Sequence, residues 1–469
     1  MIIFIALLNI ISTISVIFIE RKKPHEALLW VLILNAFPLG GMLLYLAFGS
    51  TLWIKITYKI RSGKADEHFR SVMEEVVKQP QMEDIYKLLS ESQKKCLSFN
   101  QQYSHSYPSP RNRIEILTSG KEKYERLFED LSNAQHSINI VYYGIHNDWV
   151  GKRLMEILSE RACAGVDVRL LYDGMGSFLT PSRFFKKLRK AGGKVKAIKS
   201  LFTHFRNHRK IVVIDGLIGY TGGMNIGKKY VGEKKDKTPW RDTQIRIEGD
   251  GVYFLQYFFV YDWLFAYPRK KFTDEQIIQL FPQHDINELM VGQVIGSGVD
   301  RDEYAIKMAY LRMVSAAQKR IVIQTPYYIP NTSLQNAITI AASSGIEVII
   351  MLPQRKSSFF LQPTTRYYIS ELLSYGVKVW LYDGYLHAKT ITIDDEITCI
   401  GSVNIDIRSM EVDDEICMCV YDAAFAQRHM HTIEDDLAHS APLDVEAFNK
   451  RPLWQRFAER IFALFAPLM

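Results

Sequence analysis

The sequence predicts an α/β protein with two similar α/β sandwich domains in tandem, related by a pseudo-twofold axis and preceded by two transmembrane helices. Three observations predict it: one motif occurs twice at a constant offset, short apolar runs alternate with helical stretches, and two long apolar runs open the chain. The chain has 469 residues, which exceeds the roughly 250–300 residues at which a single core stops growing. At least two core domains are therefore expected.

The first 50 residues are expected to form a membrane anchor with two transmembrane helices. Residues 1–19 are almost wholly apolar, and residues 27–48 carry no charge. A run of about 20 such residues crosses a hydrocarbon core of roughly 30 Å. The first run could instead be a cleaved signal peptide, although it lacks a basic start and a small-residue cleavage site. Basic residues after the second run slightly favour a cytoplasmic body.

Residues 51–111 are mixed and polar, which predicts a juxtamembrane connector ending near Pro108 and Pro110. The first core domain is then expected at residues 112–290 and the second at residues 291–469. The net charge of +7 suits an anionic partner, lipid or nucleic acid, without choosing between them. The five cysteines are expected to be free thiols in a reducing compartment, and their spacing predicts no metal site.

Both core domains show the same alternation of helical and strand patterns, which predicts an α/β sandwich in each. In the first, the predicted helices are 121–134, 150–164, 182–191 and 252–265, and the predicted strands are 138–143, 168–172, 210–215, 217–221 and 244–248. In the second, the predicted helices are 303–317, 333–343 and 366–374, and the predicted strands are 321–325, 348–352, 377–382, 390–394, 398–401 and 416–421. The aromatic helix near residues 254–265 is expected in the core rather than against lipid.

The repeated motif is the strongest signal in the chain. Its residues are His208, Lys210, Asp215 and Asn225 and, each 179 positions later, His387, Lys389, Asp394 and Asn404. A constant offset at four positions indicates an internal duplication, against the alternative of a basic edge strand with a glycine turn. The His and Lys, two apart on a strand, point to the same face. The Gly-Gly or Gly-Ser turn before each Asn lets backbone approach an anion closely.

These paired motifs resemble the phospholipase D superfamily, and their context resembles the bacterial cardiolipin synthases of that superfamily. The stretches that carry the resemblance are residues 206–210, 240–242, 326–330 and 404–409. The apolar anchor and the C-terminal residues are also similar, so the resemblance covers nearly the whole chain.

The motif residues suit phosphodiester exchange. A histidine can form a covalent intermediate, lysine and asparagine can stabilise developing charge on phosphoryl oxygens, and a second histidine can donate and accept the proton. Neither a metal nor another cofactor is required. The resemblance implies that His208 is the nucleophile and His387 the general acid and base, whereas the residues alone do not assign these roles because both motifs are complete.

Further residues are expected to support the site. Asp215 and Asp394, part of each catalytic motif, are expected to hold local structure rather than touch phosphorus. By the family pattern, Glu415 is the candidate to orient the imidazole on the second half and Asp242 the candidate on the first, with a surface ion pair as the alternative for each. Ser402 is expected either to help Asn225 and Asn404 position phosphate or to be a plain turn serine.

The resemblance implies a membrane enzyme that moves a phosphatidyl group between two phosphatidylglycerol molecules, giving cardiolipin and glycerol. Its partners would be those lipids and the cell membrane, with the catalytic domains in the cytoplasm, no nucleic acid, and an oligomer left open. The alternatives are a membrane-bound hydrolase, a nuclease of the same superfamily and a non-catalytic anionic-lipid-binding protein. The basic amphipathic run at residues 448–469 could lie on a membrane or pack on its own domain.

Overall fold

A computed structural model describes residues 2–19, 24–49, 82–198, 205–232, 240–267, 272–298, 304–355 and 359–466. Most of the predicted connector, including the basic residues used to predict sidedness, lies outside the described residues. The fold is mixed α/β, as predicted. Within the described residues, 15 strands join into one long sheet and four short strands form two separate pairs.

The N-terminal residues form a short helical hairpin. Its helices are α1 (Ile2–Ile14), α2 (Pro24–Ala36) and α3 (Pro38–Leu44), with π-helical turns at Ser15–Ile19 and Tyr45–Gly49. Among the described residues, none of the helices combines the length and apolar character needed to cross a bilayer. The two predicted transmembrane helices are therefore not confirmed. The second run is divided at Phe37, because Pro38 has no N–H with which to continue the helical ladder.

Two sets of elements with the same order follow the hairpin. Helices α4 (Met82–Leu88) and α5 (Glu91–Ser104) come first. The first half contains β1 (Ser109–Leu117), α6 (Gly120–Asn133), β2 (Ser137–Tyr142), α7 (Trp149–Cys163), β3 (Asp167–Asp173), α8 (Lys186–Lys190), β4 (Lys194–Ile198), β5 (Lys210–Ile214), β6 (Ile218–Gly222), β7 (Trp240–Arg241), β8 (Gln244–Gly249), α9 (Gly251–Ala266) and α10 (Asp274–Leu280).

The second half contains β9 (Leu289–Ser297), α11 (Ala305–Ala316), β10 (Arg320–Gln324), β11 (Tyr328–Ile329), α12 (Thr332–Ser343), β12 (Glu347–Pro353), α13 (Leu361–Leu372), β13 (Lys378–Tyr382), β14 (Tyr385–Leu386), β15 (Thr390–Ile393), β16 (Ile397–Gly401), β17 (Ile405–Asp406), α14 (Ile407–Glu411), β18 (Glu415–Val420), α15 (Ala423–Ala438), β19 (Ser440–Pro442), α16 (Val445–Asn449) and α17 (Leu453–Ala463).

The order of strands in the sheet is nearly a palindrome. Across the described residues it runs β19-β13-β12-β10-β15-β16-β18-β9-β1-β8-β6-β5-β2-β3-β4. Reading outward from the antiparallel β1–β9 contact, each half repeats the other, and β19 is an addition at one edge. The motif strands β5 and β15 occupy equivalent places in the sheet. β5 lies between β6 and β2, and β15 lies between β16 and β10. Such symmetry is what the duplicated motif predicted.

One helix joins the halves, and another packs on the second half out of chain order. The aromatic helix α9 is buried over most of its length and shares a core with Ile400, Ile416 and Met418 of the second half, so its prediction as a core helix is confirmed. Helix α5 packs on the second half although it precedes the first. Its Asn100 amide donates to Gln293 at 3.2 Å and to the Tyr421 hydroxyl at 3.0 Å. The first half is therefore inserted in the chain between α5 and the half on which α5 packs.

Candidate active site

Each motif histidine is anchored by backbone bonds to the opposite half. The His208 N–H donates to the Asp414 carbonyl at 2.8 Å, and the Asp414 N–H donates to Arg206 at 2.9 Å. In the same way, β7 pairs with β14 in parallel, and the His387 N–H donates to the Arg241 carbonyl at 2.6 Å. The two motifs are therefore placed by the interface between the halves, and not by either half alone.

The carboxylates cross this interface. His208 Nδ1 lies 2.7 Å from Glu415 Oε1, and His387 Nδ1 lies 2.5 Å from Asp242 Oδ2. Both carboxylates are fully buried, while 14% and 15% of the two histidine side chains are exposed. The alternative of surface ion pairs is thus wrong. Each half supplies the carboxylate that orients the imidazole of the other, so the expectation that Asp242 serves the first half and Glu415 the second is wrong. A bond at Nδ1 leaves Nε2 of each ring available.

The two lysines lie in the same centre. Lys210 Nζ donates to the His208 carbonyl at 2.7 Å, and Lys389 Nζ donates to the carbonyl of His387. Burial lowers the pKa of Lys210 to about 7 and that of Lys389 to about 8, against the opposing charges of the buried carboxylates. After burial itself, the charges of both lysines lower the pKa of His208. A phosphate in this centre would meet two ammonium groups and two imidazoles.

The two dyads differ electrostatically. Burial lowers the pKa of His387 to about 3 and that of His208 well below its usual value, so burial disfavours a proton on either ring. Burial alone would raise the pKa of Asp242, but the charges of His387 and Lys389 and two hydrogen bonds lower it. Burial raises the pKa of Glu415 to about 7. Asp242 is therefore ionised, whereas Glu415 titrates near neutral pH.

The turn residues before each asparagine also differ between the halves, although the hydrogen bond from Ser402 acts to lower the pKa of Glu415 against the effect of burial. Ser402 is fully buried and donates to Glu415, while its oxygen accepts the Ile416 N–H at 3.0 Å. Its hydroxyl thus supports the carboxylate rather than facing a phosphate. The equivalent position in the first half is Gly223, where an added Cβ would lie 2.0 Å from Asp242 Oδ1. The shorter carboxylate therefore occupies the space that a side chain would need.

The motif asparagines are tied to tyrosines in both halves. Asn225 donates to the Tyr230 hydroxyl at 2.7 Å and accepts the Gly144 N–H at 3.0 Å. Asn404 donates to the Tyr327 hydroxyl at 2.8 Å, and its side-chain oxygen is buried without a hydrogen bond. Both amides lie beside the centre, so they remain candidates to contact a phosphate.

Comparison with known proteins identifies the family. The family described as "Cardiolipin synthase, PLD-like domain" matches residues 127–238 and 310–437, and "Phospholipase_D-nuclease N-terminal" matches residues 7–50. The Major cardiolipin synthase ClsA of Bacillus subtilis is 36% identical over 99% of this chain and 98% of its own length. This chain belongs to the cardiolipin synthase family of the phospholipase D superfamily.

Other relatives agree with this assignment. A cardiolipin synthase of Listeria monocytogenes is 33% identical over 100% of this chain and 99% of its own, and Cardiolipin synthase 2 of Staphylococcus epidermidis is 36% identical over 99% and 96%. A phosphatidylserine synthase structure from Haemophilus influenzae covers 80% of this chain and all of its own with a TM-score of 0.61 at 16% identity. That likeness shows that this cardiolipin synthase family member and the phosphatidylserine synthase share a fold.

The motif aspartates lie at the far end of their strands. Asp215 accepts the N–H groups of residues 135–137 at 2.7–2.8 Å, and Asp394 accepts those of residues 318–320 at 2.8–3.0 Å. Each clamps its motif hairpin to the turn before the neighbouring strand. Seven residues of extended chain separate His208 from Asp215, about 23 Å. The structure thus keeps the aspartates of this cardiolipin synthase family member away from the histidines.

Several site residues were not predicted from the sequence. Arg209, between the motif His and Lys, points to the other face and is fully buried; it contacts Asp262 at 2.5 Å and the Ser297 carbonyl at 2.8 Å. Because side chains alternate between the two faces of a strand, the sequence could have predicted that Arg209 faces away from His208 and Lys210. Tyr143 lies edge-on to His208 at 4.7 Å, and Trp240 lies 5.1 Å from His387.

The cysteines are free, as predicted, and four of the five are buried. Their positions in the sequence did not reveal that Cys399, Cys417 and Cys419 come within 4.8 Å of one another, which requires the β16–β18 register that pairs Cys399 with Cys419. Burial raises the pKa of Cys399 and of Cys417, which disfavours the thiolates that metals bind.

Proposed function

We propose that this protein is a phosphatidyltransferase that converts two phosphatidylglycerol molecules into cardiolipin and glycerol. The single observation that carries the proposal is the pair of crossed histidine–carboxylate dyads sharing two buried lysines. Full-length relatives that bear the name cardiolipin synthase supply the substrate class. The geometry suits a reaction with two alike half-steps, since each half-step needs a nucleophile at phosphorus and a proton carrier opposite.

In the first half-step, Nε2 of His208 attacks the phosphorus of one phosphatidylglycerol. The bond from phosphorus to the glycerol oxygen breaks, and His387 gives its proton to that oxygen, so glycerol leaves. The negative charges of Asp242 and of the bound phosphodiester stabilise the protonated form of His387 that this step uses. The phosphatidyl group remains on His208 as a phosphohistidine. Lys210 and Lys389 supply positive charge to the phosphoryl oxygens, and Asn225 and Asn404 are proposed to contact the phosphate.

In the second half-step, the proton moves the other way. His387, now neutral, takes the proton of a hydroxyl on the second phosphatidylglycerol, whose oxygen attacks phosphorus and breaks the bond to His208. The products are cardiolipin and the starting enzyme. The ring of Trp240 near His387, stacked on Tyr385 at 4.5 Å, favours an alcohol on a lipid over free water at this position.

The difference between the dyads supports these roles. A proton carrier needs a partner that stabilises its imidazolium, and the ionised Asp242 is such a partner for His387. Glu415, with a pKa near 7, is a weaker partner for a cation. His208 therefore suits the role of the nucleophile, which reacts from the neutral ring.

We further propose that the N-terminal hairpin inserts into the cell membrane, with the catalytic halves in the cytoplasm. The hairpin holds its arms together through Val16, Leu34 and Tyr45, while large apolar side chains such as Leu28, Phe18 and Leu43 are exposed. A continuous helical arm over residues 2–19 is roughly 25 Å long, close to the hydrocarbon thickness of about 30 Å. Insertion would place the enzyme beside its substrates.

The test is to incubate the purified full-length protein with phosphatidylglycerol labelled in the head group and in the acyl chains. Equal amounts of cardiolipin and free glycerol are expected. Phosphatidic acid as the main product would instead indicate the hydrolase, cleavage of DNA without lipid turnover would indicate the nuclease, and lipid binding without turnover would indicate the non-catalytic protein.

A second experiment tests the roles. His387→Ala should still form the phosphohistidine on His208 when the donor carries a leaving group that needs no proton, and His208→Ala should form none. Mass spectrometry of peptic fragments locates the adduct. An adduct on His387 in the His208→Ala variant would reverse the assignment.

A further inference from the structure

A cavity of about 500 Å³ lies in the second half, beside but outside the histidine centre. It is bounded by the carboxyl end of β12, by β13, by α13 and by the C-terminal helices α16 and α17. Apolar side chains, among them Leu352, Ile369, Leu381 and Phe448, form much of its wall. Its size is that of a pocket for a small organic molecule or part of a lipid.

The cavity wall also carries guanidinium groups. Arg355, Arg366 and Arg451 line it. Arg451 is paired with Glu459 of α17 at 2.9 and 3.0 Å, which fixes the C-terminal helix over the cavity. In the part of the chain that the structure describes, Arg366 has no hydrogen-bond or ion-pair partner. An apolar cavity with an uncommitted guanidinium suits a molecule with both an aliphatic part and an anionic group.

One residue connects the cavity with the catalytic centre. Tyr327 lines the cavity, and its hydroxyl accepts from the motif residue Asn404 at 2.8 Å. Burial, followed by the negative charge of Asp406, raises the pKa of Tyr327, and Tyr385 contributes as well. Tyr385 in turn stacks near His387 at 6.0 Å. Tyr327 therefore links the cavity wall to the residues around the histidine that is proposed to activate the acceptor.

The outer rim of the cavity faces solvent with large apolar side chains. Phe359 and Phe360 pack on Phe462 of α17 at 5.4 Å and are themselves 76% and 53% exposed. On α17, Trp454 is 73% and Phe457 is 68% exposed. Helix α17 thus packs on its domain, as one interpretation of the C-terminal run predicted, and still presents an apolar face to solvent. Aromatic side chains in such a position suit the interface of a bilayer.

We propose that this cavity binds the acceptor lipid, an anionic glycerophospholipid that enters from the bilayer past the aromatic rim and places its phosphate on Arg366. The inference rests on the proposed function and adds a second lipid site to it. An acceptor that is itself a phosphatidylglycerol has a phosphate of its own, one glycerol away from the reacting hydroxyl. A cation outside the catalytic centre distinguishes this acceptor from water or a simple alcohol.

The test separates the acceptor from the donor. The full-length protein is assayed with phosphatidylglycerol vesicles alone, where cardiolipin forms, and with the same vesicles and excess ethanol, where phosphatidylethanol forms from the donor and a neutral acceptor. Arg366→Ala should lower cardiolipin formation at subsaturating lipid about tenfold, the expected loss for one charge-assisted contact, and leave phosphatidylethanol formation within twofold. Arg366→Lys should restore part of the loss.

Two further variants keep the test decisive. Ile369→Trp, which fills the cavity, should mimic Arg366→Ala, and Arg153→Ala, a charge loss on the exposed face of α7, should change neither product. Equal loss of both products in Arg366→Ala would show a general lipid contact, and loss of neither would remove the site; each result overturns the proposal. A change confined to inhibition by added cardiolipin would make the cavity a product site instead. A wild-type protein that makes no cardiolipin would reject the proposed function itself.

Discussion

The motif aspartates provide the clearest test of whether a residue of the repeated motif stabilises the fold or takes part in catalysis. Asp215→Ala removes a carboxylate that accepts three backbone N–H groups at 2.7–2.8 Å. These N–H groups lie near the surface, where water can replace part of the lost hydrogen bonding. We therefore expect each lost hydrogen bond to lower the free energy of unfolding by about 1 kcal/mol. Asp215 also has a positive φ of 54°, which alanine tolerates less well than aspartate, adding roughly 1 kcal/mol. The free energy of unfolding should therefore fall by about 3–4 kcal/mol.

For a domain of this size, 1 kcal/mol corresponds to roughly 2–4 °C in Tm, so the transition that includes the first half should fall by about 6–16 °C. Activity should behave differently. Because His208 is about 23 Å away along the strand, kcat for the folded protein, measured well below the transition, should stay within twofold of the wild type. Circular dichroism melting and cardiolipin formation on the same sample give both numbers.

Asp395→Ala is the matched control. Asp395 has a similar φ of 57°. Within the described parts of the chain its carboxylate pairs with Arg320 alone, and its side chain is 33% exposed, so this ion pair contributes at most about 1 kcal/mol. Asp394→Ala should repeat the large loss in the second half. If Asp215→Ala melts like the wild type but loses a hundredfold in kcat, the carboxylate takes part in the chemistry and the structural role is wrong.

Three other predictions follow from the centre itself. Gly223→Ala places a Cβ 2.0 Å from Asp242 Oδ1 and should lower kcat about a hundredfold by displacing that carboxylate, whereas Gly40→Ala, with open space around it, should not. The acid limb of kcat/KM against pH should fall below about 7, where Glu415 gains its proton; Glu415→Gln should remove that limb, and a limb that persists belongs to another group. Lys210→Met should raise the free energy of unfolding by on the order of 2 kcal/mol at and below pH 7. Since the folded pKa of Lys210 is depressed to about 7, the penalty it carries is full below that pH and disappears toward pH 10, so a gain that grows with pH would contradict the assignment.

The sequence predicted the duplication well because four chemical groups at one offset leave little freedom. It also predicted the alternation of helices and strands, with boundaries close to those observed, since apolar periodicity reports local structure. The crossing of the carboxylates is different. Asp242 follows the first motif and Glu415 follows the second, so proximity along the chain suggests that each serves its own half. Only the pairing of residues 205–208 and β7 with the opposite half reverses this.

The Cys399 cluster and the packing of α5 on the second half could not be predicted from the sequence for the same reason, since both depend on which strands and helices become neighbours. Ser402 illustrates the limit at a single residue. Its place in the Gly-Ser turn suggested a phosphate contact, and only the depth of Glu415 beside it shows where the hydroxyl is used. The N-terminal runs show the reverse case, in which composition alone indicated a span and Pro38 divided the helix.

The exchange of carboxylates has a consequence for the duplication itself. A single half contains a histidine, a lysine and an asparagine in order, yet its histidine lacks the acidic partner at Nδ1, because that partner belongs to the other half. A half on its own could assemble a complete centre only by pairing with a second copy across the same pseudo-twofold. Fusion in one chain keeps this pairing and allows the two dyads to diverge, one toward an ionised Asp242 and the other toward a titratable Glu415. A symmetric pair of identical halves would carry the same dyad twice, so the difference between Asp242 and Glu415 is one that only two separately encoded halves can have.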